Sequence, residues 1–404
     1  MKKLNMICII ISFVMLGISI ALFCFGSNYS YIPLILGIIS LIVSLIKQKN
    51  IIKAIYSSLY LIFFVLLLLF SMNVIKVKAN PITDYDKMIP IWGDSIPGNS
   101  NKSKLDEMNI RFNTNKYLAT NRFLSLLAFK NTKYAERVID TFTYSYEIRS
   151  GYAKETFEDI PFLVPYLVEG SDQAVIIIPG GGYANKSIED GGTLEGKNVA
   201  LELNKIGISA FVLWYRSNPY EFPIPQMDLQ RAVKYLKYHK NDYGIDENKI
   251  SIIGFSAGGY QVSSYINIFM GMNMCGYEGE YTKDAIGLLD DSIYKAALIY
   301  PELEFSKNYS IMYSTFSKEK VEDEKTRKEL QDKYNTISNM KTKVVKQYIA
   351  YGVKDNIVGT ESILKYIEKA NSLGIDLKVS KISGQSHAFD TKYYIEDYLN
   401  FMKD

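Results

Sequence analysis

The sequence predicts an α/β fold, with a mainly parallel sheet carrying helices on both faces and about three transmembrane helices in front of it. From about Tyr146 onwards, short runs rich in β-branched apolar residues alternate with segments of helical periodicity. Strands that are apolar on both faces and separated by helices are typical of parallel sheets covered on both sides. The 404 residues, 48% of them apolar, are ample for a full-sized core.

The predicted strands are short apolar runs bounded by turn residues: Phe162–Leu167, Ala174–Ile178, Ser209–Leu213, Lys249–Gly254, Lys295–Ile299, Val345–Ala350 and Leu377–Ile382. The clearest predicted helices between them are Thr193–Lys205 and Met227–His239. Residues 303–340 interrupt the alternation with an apolar stretch and then a dense run of Lys and Glu. We interpret this region as an insertion between two strands, with a lid as the hypothesis for its role.

Three N-terminal runs are almost free of charge and predict the transmembrane helices: Leu4–Phe25, Tyr31–Ile46 and Ala54–Val74. A bilayer core needs about 20 apolar residues, so the middle run is short unless flanking residues extend it. The lysines around these runs place the N-terminus in the cytoplasm and everything after Lys78 outside. A cleaved signal peptide is disfavoured because no small-x-small site follows the first run.

This organisation predicts three regions. Residues 1–78 form a multi-pass anchor in the cell membrane with the lipid bilayer as a partner, residues 79–145 form a linker with one helix at Tyr117–Phe129, and residues 146–404 form the extracytoplasmic α/β domain. Seven of the 46 basic residues lie in the first 78, so the remainder has 39 basic against all 43 acidic residues. This slightly acidic body argues against nucleic-acid binding, which needs a basic face.

Cysteine and histidine usage limits the available chemistry. Cys8 and Cys24 lie in apolar runs, so Cys275 alone in the polar body has no partner for an internal disulfide. No Cys/His spacing indicates a zinc site, and no cofactor or metal is expected. The only histidines are His239 and His387. His239 falls on a predicted helix and is interpreted as a surface or packing residue.

A glycine-flanked serine follows one predicted strand. The sequence Gly254-Phe255-Ser256-Ala257-Gly258 ends Lys249–Gly254 and precedes a helix-compatible segment. Glycines relieve crowding at the sharp strand-to-helix turn that exposes a nucleophilic serine above a sheet. The pentapeptide alone is a weak signal, because a chance glycine turn would look the same.

A second glycine-rich turn lies upstream, where Ala174–Ile178 ends in Pro-Gly-Gly-Gly-Tyr at residues 179–183. Consecutive glycines after a strand allow backbone N–H groups to face a cavity and stabilise an oxyanion. A phosphate-binding loop is the rival interpretation. It fails because the sequence has neither the Gly-Lys-Ser/Thr ending nor a spaced G-x-G-x-x-G pattern.

An acid and a histidine complete the pattern downstream. Asp355 lies just beyond the predicted strand Val345–Ala350, and His387 lies in the loop after Leu377–Ile382. The chain order Ser…Asp…His at successive strand ends is the order of a hydrolase catalytic triad.

The chain from about Tyr146 resembles an α/β-hydrolase of the esterase/lipase, acetyl-esterase-like branch related to hormone-sensitive lipase. Besides the serine turn, the resemblance rests on similar motifs: Asp159-Ile160-Pro161, Ala210–Arg216, Asp228–Val233, and Ile89–Trp92 with Ser95–Gly98. Two departures from the family are visible. Pro179 replaces a common histidine, and Ala388 follows His387 where glycine is commoner, but neither removes a catalytic group.

The resemblance implies Ser256 as nucleophile, His387 as general base and then acid, and Asp355 as its orienting partner. It also implies an oxyanion hole formed by the N–H groups of Gly181, Gly182 and Ala257. The expected function is a membrane-anchored serine carboxylesterase acting on short-chain acyl esters, acetyl esters or acylated glycans among them. The alternatives are a serine peptidase or acyltransferase on the same fold, or a catalytically inactive extracytoplasmic binding or sensory domain. Asp228 is interpreted as a helix N-terminal cap.

Overall fold

The computed structural model describes residues 2–24, 31–46, 58, 60–62, 64–65, 88–99, 160–183, 195–217, 220–274, 284–307, 309–341 and 345–404. The chain divides into two compact units. One comprises Met1–Lys78 and Met108–Arg149, and the other Ala79–Glu107 and Ser150–Asp404. The predicted helix Tyr117–Phe129 and most of the predicted linker at residues 79–145 lie outside the described residues.

The first unit contains two described helices, α1 (Lys2–Cys24) and α2 (Tyr31–Ile46), which pack against each other. The Ser12 hydroxyl, buried between them, donates to the carbonyl oxygens of Cys8 at 2.8 Å and Gly37 at 3.0 Å. Leu41 on α2 is 1% exposed and shares a small apolar cluster with Phe64. The apolar runs in this unit therefore supply contacts between helices.

Among the residues that the structure describes, we find no helix combining the length and the apolar character that a membrane crossing requires. The prediction of three transmembrane helices is therefore wrong, and so are the multi-pass localisation and the bilayer partner inferred from it. The helix α2 has 16 residues, which at 1.5 Å per residue span ~24 Å and fall short of a ~30 Å bilayer core. The third apolar run lies mostly outside the described residues.

In the part of the second unit that the structure describes, one mixed sheet has eight strands: β1 (Ile89–Pro90), β2 (Phe162–Tyr166), β3 (Ala174–Ile178), β4 (Ser209–Trp214), β5 (Ile250–Phe255), β6 (Lys295–Ile299), β7 (Lys346–Gly352) and β8 (Leu377–Ile382). Their order across the sheet is β1-β2-β4-β3-β5-β6-β7-β8. The pairs β1–β2 and β2–β4 are antiparallel, and the other pairs are parallel. All seven strands predicted from the sequence occur within two residues of their expected ends.

Both faces of the central strands β3 to β6 are buried, as their uninterrupted apolar runs require. On one face, Val175 and Ile253 join a core that contains Leu203 and Phe401 from two covering helices. Residues of the opposite parity are also almost completely buried: Ile176, Phe211, Ile252, Leu298 and Ile349. A strand with no solvent-facing side cannot alternate polar and apolar residues, which explains its sequence pattern.

The helices of this unit lie between or after the strands: α3 (Lys197–Lys205), α4 (Ile224–Tyr238), α5 (Lys240–Tyr243), α6 (Ala257–Ser264), α7 (Tyr309–Thr315), α8 (Lys318–Glu322), α9 (Glu324–Lys333), α10 (Glu361–Ser372) and α11 (Ile395–Lys403). A π-helical turn (Tyr265–Phe269) extends α6, and a 3-10 turn (Thr391–Tyr393) precedes α11.

Helices α7, α8 and α9 form the insertion between β6 and β7. The charged helix α9 has no buried residue. Between α7 and α8 and after α9, however, Phe316 and Tyr334 are 2% and 3% exposed, and both contact the ring of Phe222. The Tyr260 hydroxyl on α6 also donates to the Tyr334 carbonyl oxygen at 2.7 Å. Parts of the insertion are thus core, and a lid role for it stays a prediction.

Asp228 is buried inside α4 and does not cap a helix, which corrects its interpretation from the sequence. The helix begins at Ile224, four residues earlier, with Pro225 in its first turn and no side-chain cap. Asp228 instead accepts hydrogen bonds from the Arg216 guanidinium at 2.7–3.2 Å and from Trp92 Nε1 at 3.0 Å. The side chains of Arg216 and Asp228 are both 0% exposed. This ion pair therefore fixes the segment 88–99 to the body of the unit.

Candidate active site

Ser256 occupies the turn between β5 and α6 with a strained backbone, φ 51° and ψ −114°. Its N–H donates to the Ile299 carbonyl oxygen at 3.0 Å, and its own carbonyl oxygen accepts from the N–H groups of Tyr260 and Glu302 at 3.0 Å. A non-glycine residue rarely adopts positive φ, so these bonds must hold the conformation. The turn is therefore built to hold one side chain at the carboxyl end of the sheet.

The glycines around Ser256 are required by space as well as by conformation. A Cβ at Gly254 would lie 2.1 Å from the Gly258 carbonyl oxygen, and one at Gly258 would lie 2.2 Å from the Ile178 carbonyl oxygen. Backbone atoms cannot move aside as a flexible side chain can. The close approach of β3, β5 and α6 at this turn thus explains both flanking glycines of the sequence motif.

Ser256, His387 and Asp355, far apart in sequence, form one hydrogen-bonded chain. His387 Nε2 lies 2.8 Å from Ser256 Oγ, and His387 Nδ1 lies 2.7 Å from Asp355 Oδ2. An ionised carboxylate can only accept hydrogen bonds, so Nδ1 carries the proton and Nε2 is left to accept from the serine hydroxyl. This arrangement can remove a proton from Ser256 as its oxygen attacks an electrophile.

Asp355 is held firmly behind the histidine. Its side chain is 0% exposed, and its second oxygen accepts from the N–H groups of Ile357 at 3.0 Å and Val358 at 3.2 Å. These bonds leave Oδ2 for His387. The His387 side chain keeps 12% exposure, so it is not sealed from solvent.

The loops that carry Asp355 and His387 pack directly on each other. The Lys354 N–H donates to the Gln385 carbonyl oxygen at 2.8 Å, and a Cβ at Gly352 would lie 2.4 Å from the Ser386 carbonyl oxygen. Ala388, immediately after the histidine, has φ 54°. A glycine adopts this conformation at no steric cost, which gives a physical reason for glycine being commoner here in the family.

The glycine-rich turn after β3 lies against the serine turn. A Cβ at Gly180 would lie 2.9 Å from Ser256 Cβ. Gly181 and Gly182 follow with φ of 116° and 62°, conformations that glycine tolerates best. Ala257 is the first residue of α6, whose N–H has no acceptor within the helix. The structure thus places the start of the glycine-rich turn and Ala257 beside the serine, and the oxyanion hole itself stays a prediction.

Comparisons with known proteins bear on the fold that carries this site. Residues 162–282 match the BD-FAE family, a family of α/β-hydrolase esterases. A solved acetyl ester-xyloside bifunctional hydrolase from Caldicellulosiruptor lactoaceticus superposes with a TM-score of 0.51 at 25% identity, covering 60% of this chain and 86% of that chain. These findings support an α/β-hydrolase esterase family for the second unit of this chain. The resemblance seen in the sequence is confirmed.

Two curated relatives of this α/β-hydrolase match over shorter segments. Endo-1,4-beta-xylanase B of Butyrivibrio fibrisolvens is 31% identical over 138 residues, which are 33% of this chain and 20% of the relative. An acetylxylan esterase of Xylanibacter ruminicola is 36% identical over 106 residues, which are 26% of this chain and 21% of the relative. The chain thus spans about a fifth of the length of the curated relatives it matches.

Sequence reasoning missed two polar residues beside the site of this α/β-hydrolase. Glu195, just before α3, accepts a hydrogen bond from the Gly180 N–H at 2.7 Å. Tyr300, just after β6, donates its hydroxyl to the other Glu195 oxygen at 2.8 Å, and its ring contacts the His387 imidazole with centroids 5.0 Å apart. Neither residue belongs to a motif, so no signal in the sequence distinguished them from the chain's many other glutamates and tyrosines.

The second histidine of the α/β-hydrolase lies apart from this chain of hydrogen bonds. His239 directly follows α4, with its Nδ1 2.7 Å from Asp242 Oδ2 and its ring against Tyr235, Tyr238 and Tyr243. Its side chain is 27% exposed. These contacts agree with the surface and packing role expected from the sequence.

Proposed function

We propose that this chain is a serine carboxylesterase that hydrolyses short-chain acyl esters through an acyl-enzyme intermediate. The observation that carries the proposal is the hydrogen-bonded chain from Asp355 through His387 to Ser256 at a strained strand-to-helix turn. Similarity to an α/β-hydrolase esterase family supports the same chemistry. In this proposal Ser256 is the nucleophile, His387 the general base and then acid, and Asp355 the residue that orients the imidazole.

The reaction proceeds in two balanced halves. Ser256 Oγ attacks the acyl carbonyl carbon while its proton passes to His387 Nε2, and the resulting oxyanion faces the N–H groups of Gly181, Gly182 and Ala257. The imidazolium, stabilised by the Asp355 carboxylate, then gives its proton to the departing alcohol oxygen as the ester bond breaks. Water attacks the acyl-serine by the same route, which releases the carboxylic acid and restores Ser256.

We further propose acetyl groups on a polysaccharide as the substrate class. Two of the similar proteins carry the names acetylxylan esterase and acetyl ester-xyloside bifunctional hydrolase. The intact hydrogen-bonded chain disfavours a catalytically inactive binding domain, because the strain at Ser256 would then serve no purpose. Peptidase and acyltransferase chemistry would use the same side chains, so substrate choice must separate them from ester hydrolysis.

The test combines covalent labelling with a substrate panel, both on the full chain. We expect a fluorophosphonate probe to label the wild type and not Ser256→Ala. We also expect faster release of 4-nitrophenol from the acetyl than from the octanoyl ester, and release of acetate from acetylated xylan. A Ser256→Ala variant that still labels, or a wild type that cleaves peptide amides in preference to esters, would contradict the proposal.

A further inference from the structure

The buried carboxylate of Glu195 connects the glycine-rich turn to Tyr300, whose ring contacts the His387 imidazole. Glu195 is 5% exposed, and its two oxygens face different partners. One accepts the Gly180 N–H at 2.7 Å, and the other accepts the Tyr300 hydroxyl at 2.8 Å. Burying a carboxylate is costly unless strong hydrogen bonds compensate, so this side chain is kept against a considerable penalty.

Tyr300 connects this carboxylate to His387. The tyrosine is 1% exposed and has φ 36°, and its N–H donates to the Ala350 carbonyl oxygen at 2.7 Å. Its ring lies edge-on to the imidazole, with a centroid distance of 5.0 Å and an interplanar angle of 61°. Burial, and after it the neighbouring Glu195 charge, raises the pKa of the Tyr300 hydroxyl well above its usual value. The hydroxyl therefore remains protonated and available as a donor.

The glycine-rich turn needs such an external restraint. Gly181 and Gly182 have no side chains to anchor them, and glycine is the residue with the greatest backbone freedom. The Gly180 N–H bond fixes the peptide plane at the start of the turn, and the Tyr215 hydroxyl holds the preceding residue by donating to the Pro179 carbonyl oxygen at 2.8 Å. The direction in which the following N–H groups point depends on these two contacts.

We propose that Glu195 and Tyr300 are positioning residues. Together they hold the glycine-rich turn and the loop that carries His387 in a fixed geometry relative to each other. The inference rests on the proposed esterase function, since it assigns the glycine turn to oxyanion stabilisation. Neither residue touches the reacting atoms. Glu195 acts through the Gly180 N–H, and Tyr300 acts through the face of the His387 ring and through Glu195.

The test compares Glu195→Ala, which removes both hydrogen bonds, with Glu195→Gln, whose amide can accept from the Gly180 N–H and donate to the Tyr300 oxygen. We expect Glu195→Ala to lower kcat ~10–100-fold with KM within about threefold, because losing an oxyanion donor outright costs ~10²–10³-fold and this donor is misplaced rather than lost. Glu195→Gln should stay within about fivefold. Active-site titration corrects each rate for the folded fraction.

A trifluoromethyl ketone separates positioning from mere folding support. The ketone forms a tetrahedral adduct whose oxyanion resembles the transition state, so its Ki should rise by the same factor as kcat/KM falls. Tyr300→Phe, which keeps the ring on His387 but removes the hydroxyl, should show a smaller change, about three- to tenfold, in both quantities. The matched control is Glu202→Ala on α3, the helix that follows Glu195, where the Glu202 carboxylate pairs with exposed Lys205.

The inference would be overturned if Glu195→Ala, corrected by active-site titration, kept both its ketone Ki and its kcat/KM within threefold of the wild type. If Glu195→Ala does not fold, unchanged values of both quantities in Tyr300→Phe would overturn it. The rate of fluorophosphonate labelling separates this inference from the esterase proposal, because it requires no particular substrate. A wild type that labels but hydrolyses no ester, with slower labelling in Glu195→Ala, would refute the esterase function and support the positioning role. A wild type that neither reacts with the fluorophosphonate nor hydrolyses an ester would refute both the esterase function and the positioning role.

Discussion

Strained residues gather around the candidate active site. In the described part of the chain, four non-glycine residues have positive φ: Tyr183, Ser256, Tyr300 and Ala388. One follows the glycine-rich turn, one is the proposed nucleophile, one contacts the imidazole and one follows His387. Each such conformation costs ~1–3 kcal/mol and persists only where its surroundings enforce it. Stability is thus given up at the residues whose geometry the proposed reaction needs.

The scarcity of histidine gives a sharp prediction for single residues. Acyl transfer through Ser256 needs a base that accepts a proton near neutral pH, and histidine is the side chain whose unperturbed pKa lies there. We expect His387→Ala to lower turnover of a short-chain chromogenic ester on the order of 10⁴-fold. Ser256→Ala should match it, because members of one catalytic unit are not additive.

His239→Ala is the matched control for His387→Ala. Its imidazole contacts Asp242 and surface tyrosines, so turnover should stay within a few-fold of the wild type. Collapse of activity in a folded His239→Ala variant, or substantial activity in His387→Ala, would show that the base has been assigned to the wrong residue.

Among the elements of the fold, the segment 88–99 depends on one buried ion pair. The Arg216 side chain, 0% exposed, donates to Asp228, to the Pro97 carbonyl oxygen at 2.5 Å and to Asn99 Oδ1 at 2.8 Å. The Arg231 Nε donates to the Ile91 carbonyl oxygen at 2.6 Å. Strand β1 has only two residues and forms few backbone hydrogen bonds. Hydrogen bonds from Arg216 and Arg231 therefore hold most of the segment 88–99 in place.

Removing the acid of this pair should destabilise the second unit strongly. Asp228→Ala leaves a buried guanidinium without its counter-charge, and breaking such a pair costs about 3–5 kcal/mol. We expect a lower midpoint in urea, followed by tryptophan fluorescence, because Trp92 bonds to Asp228 and Trp214 lies in β4. The control Asp376→Ala breaks a pair that is exposed on both sides and should change stability by less than ~1 kcal/mol. Equal midpoints for the two variants would refute this account.

The limits of prediction differ from one element to another. The strands were predictable because buried parallel strands leave an unbroken apolar run, as at Ala174–Ile178 and Lys295–Ile299. The start of α4 could not be predicted, because no side chain caps it and Asp228 was wrongly interpreted as its cap. The N-terminal runs misled for another reason. Apolar composition does not distinguish a helix that crosses a bilayer from helices that pack on each other.

The predictability of the site also has a physical limit. Ser256, Asp355 and His387 could be found because each follows a strand whose carboxyl end faces one edge of the sheet. Glu195 and Tyr300 are 105 residues apart, and their bond depends on how α3 and β6 approach each other in three dimensions. No local sequence pattern around either residue indicates that the two elements come together.

Across the whole molecule, buried tyrosines make the second unit sensitive to alkali. Tyr348, Tyr366, Tyr394 and Tyr398 are 0–1% exposed, and burial raises the pKa of each phenol. Tyr243, half-buried, has its pKa raised to about 12, first by burial and then by Tyr235. A raised pKa means that the fold favours the neutral phenol. The stability this contributes is complete below pH ~10 and is lost as pH rises through the shifted values.

We therefore expect cooperative unfolding in alkali at or above about pH 12, followed by absorbance at 295 nm and tryptophan fluorescence. A fraction of the tyrosines should ionise only together with the fluorescence change, whereas in guanidinium all should titrate near pH 10. Complete ionisation near pH 10 with an unchanged fluorescence spectrum would contradict the burial of these residues.

The position of the segment 88–99 in the chain has a practical consequence. This segment is held by Asp228, Arg216 and Arg231, yet it precedes β2 by a long stretch that includes residues 108–149 of the other unit. A protease that nicked the backbone within 108–149 would leave two polypeptides still joined by buried hydrogen bonds. Two bands on a denaturing gel would then be compatible with an intact second unit, because its pieces separate only when the unit unfolds.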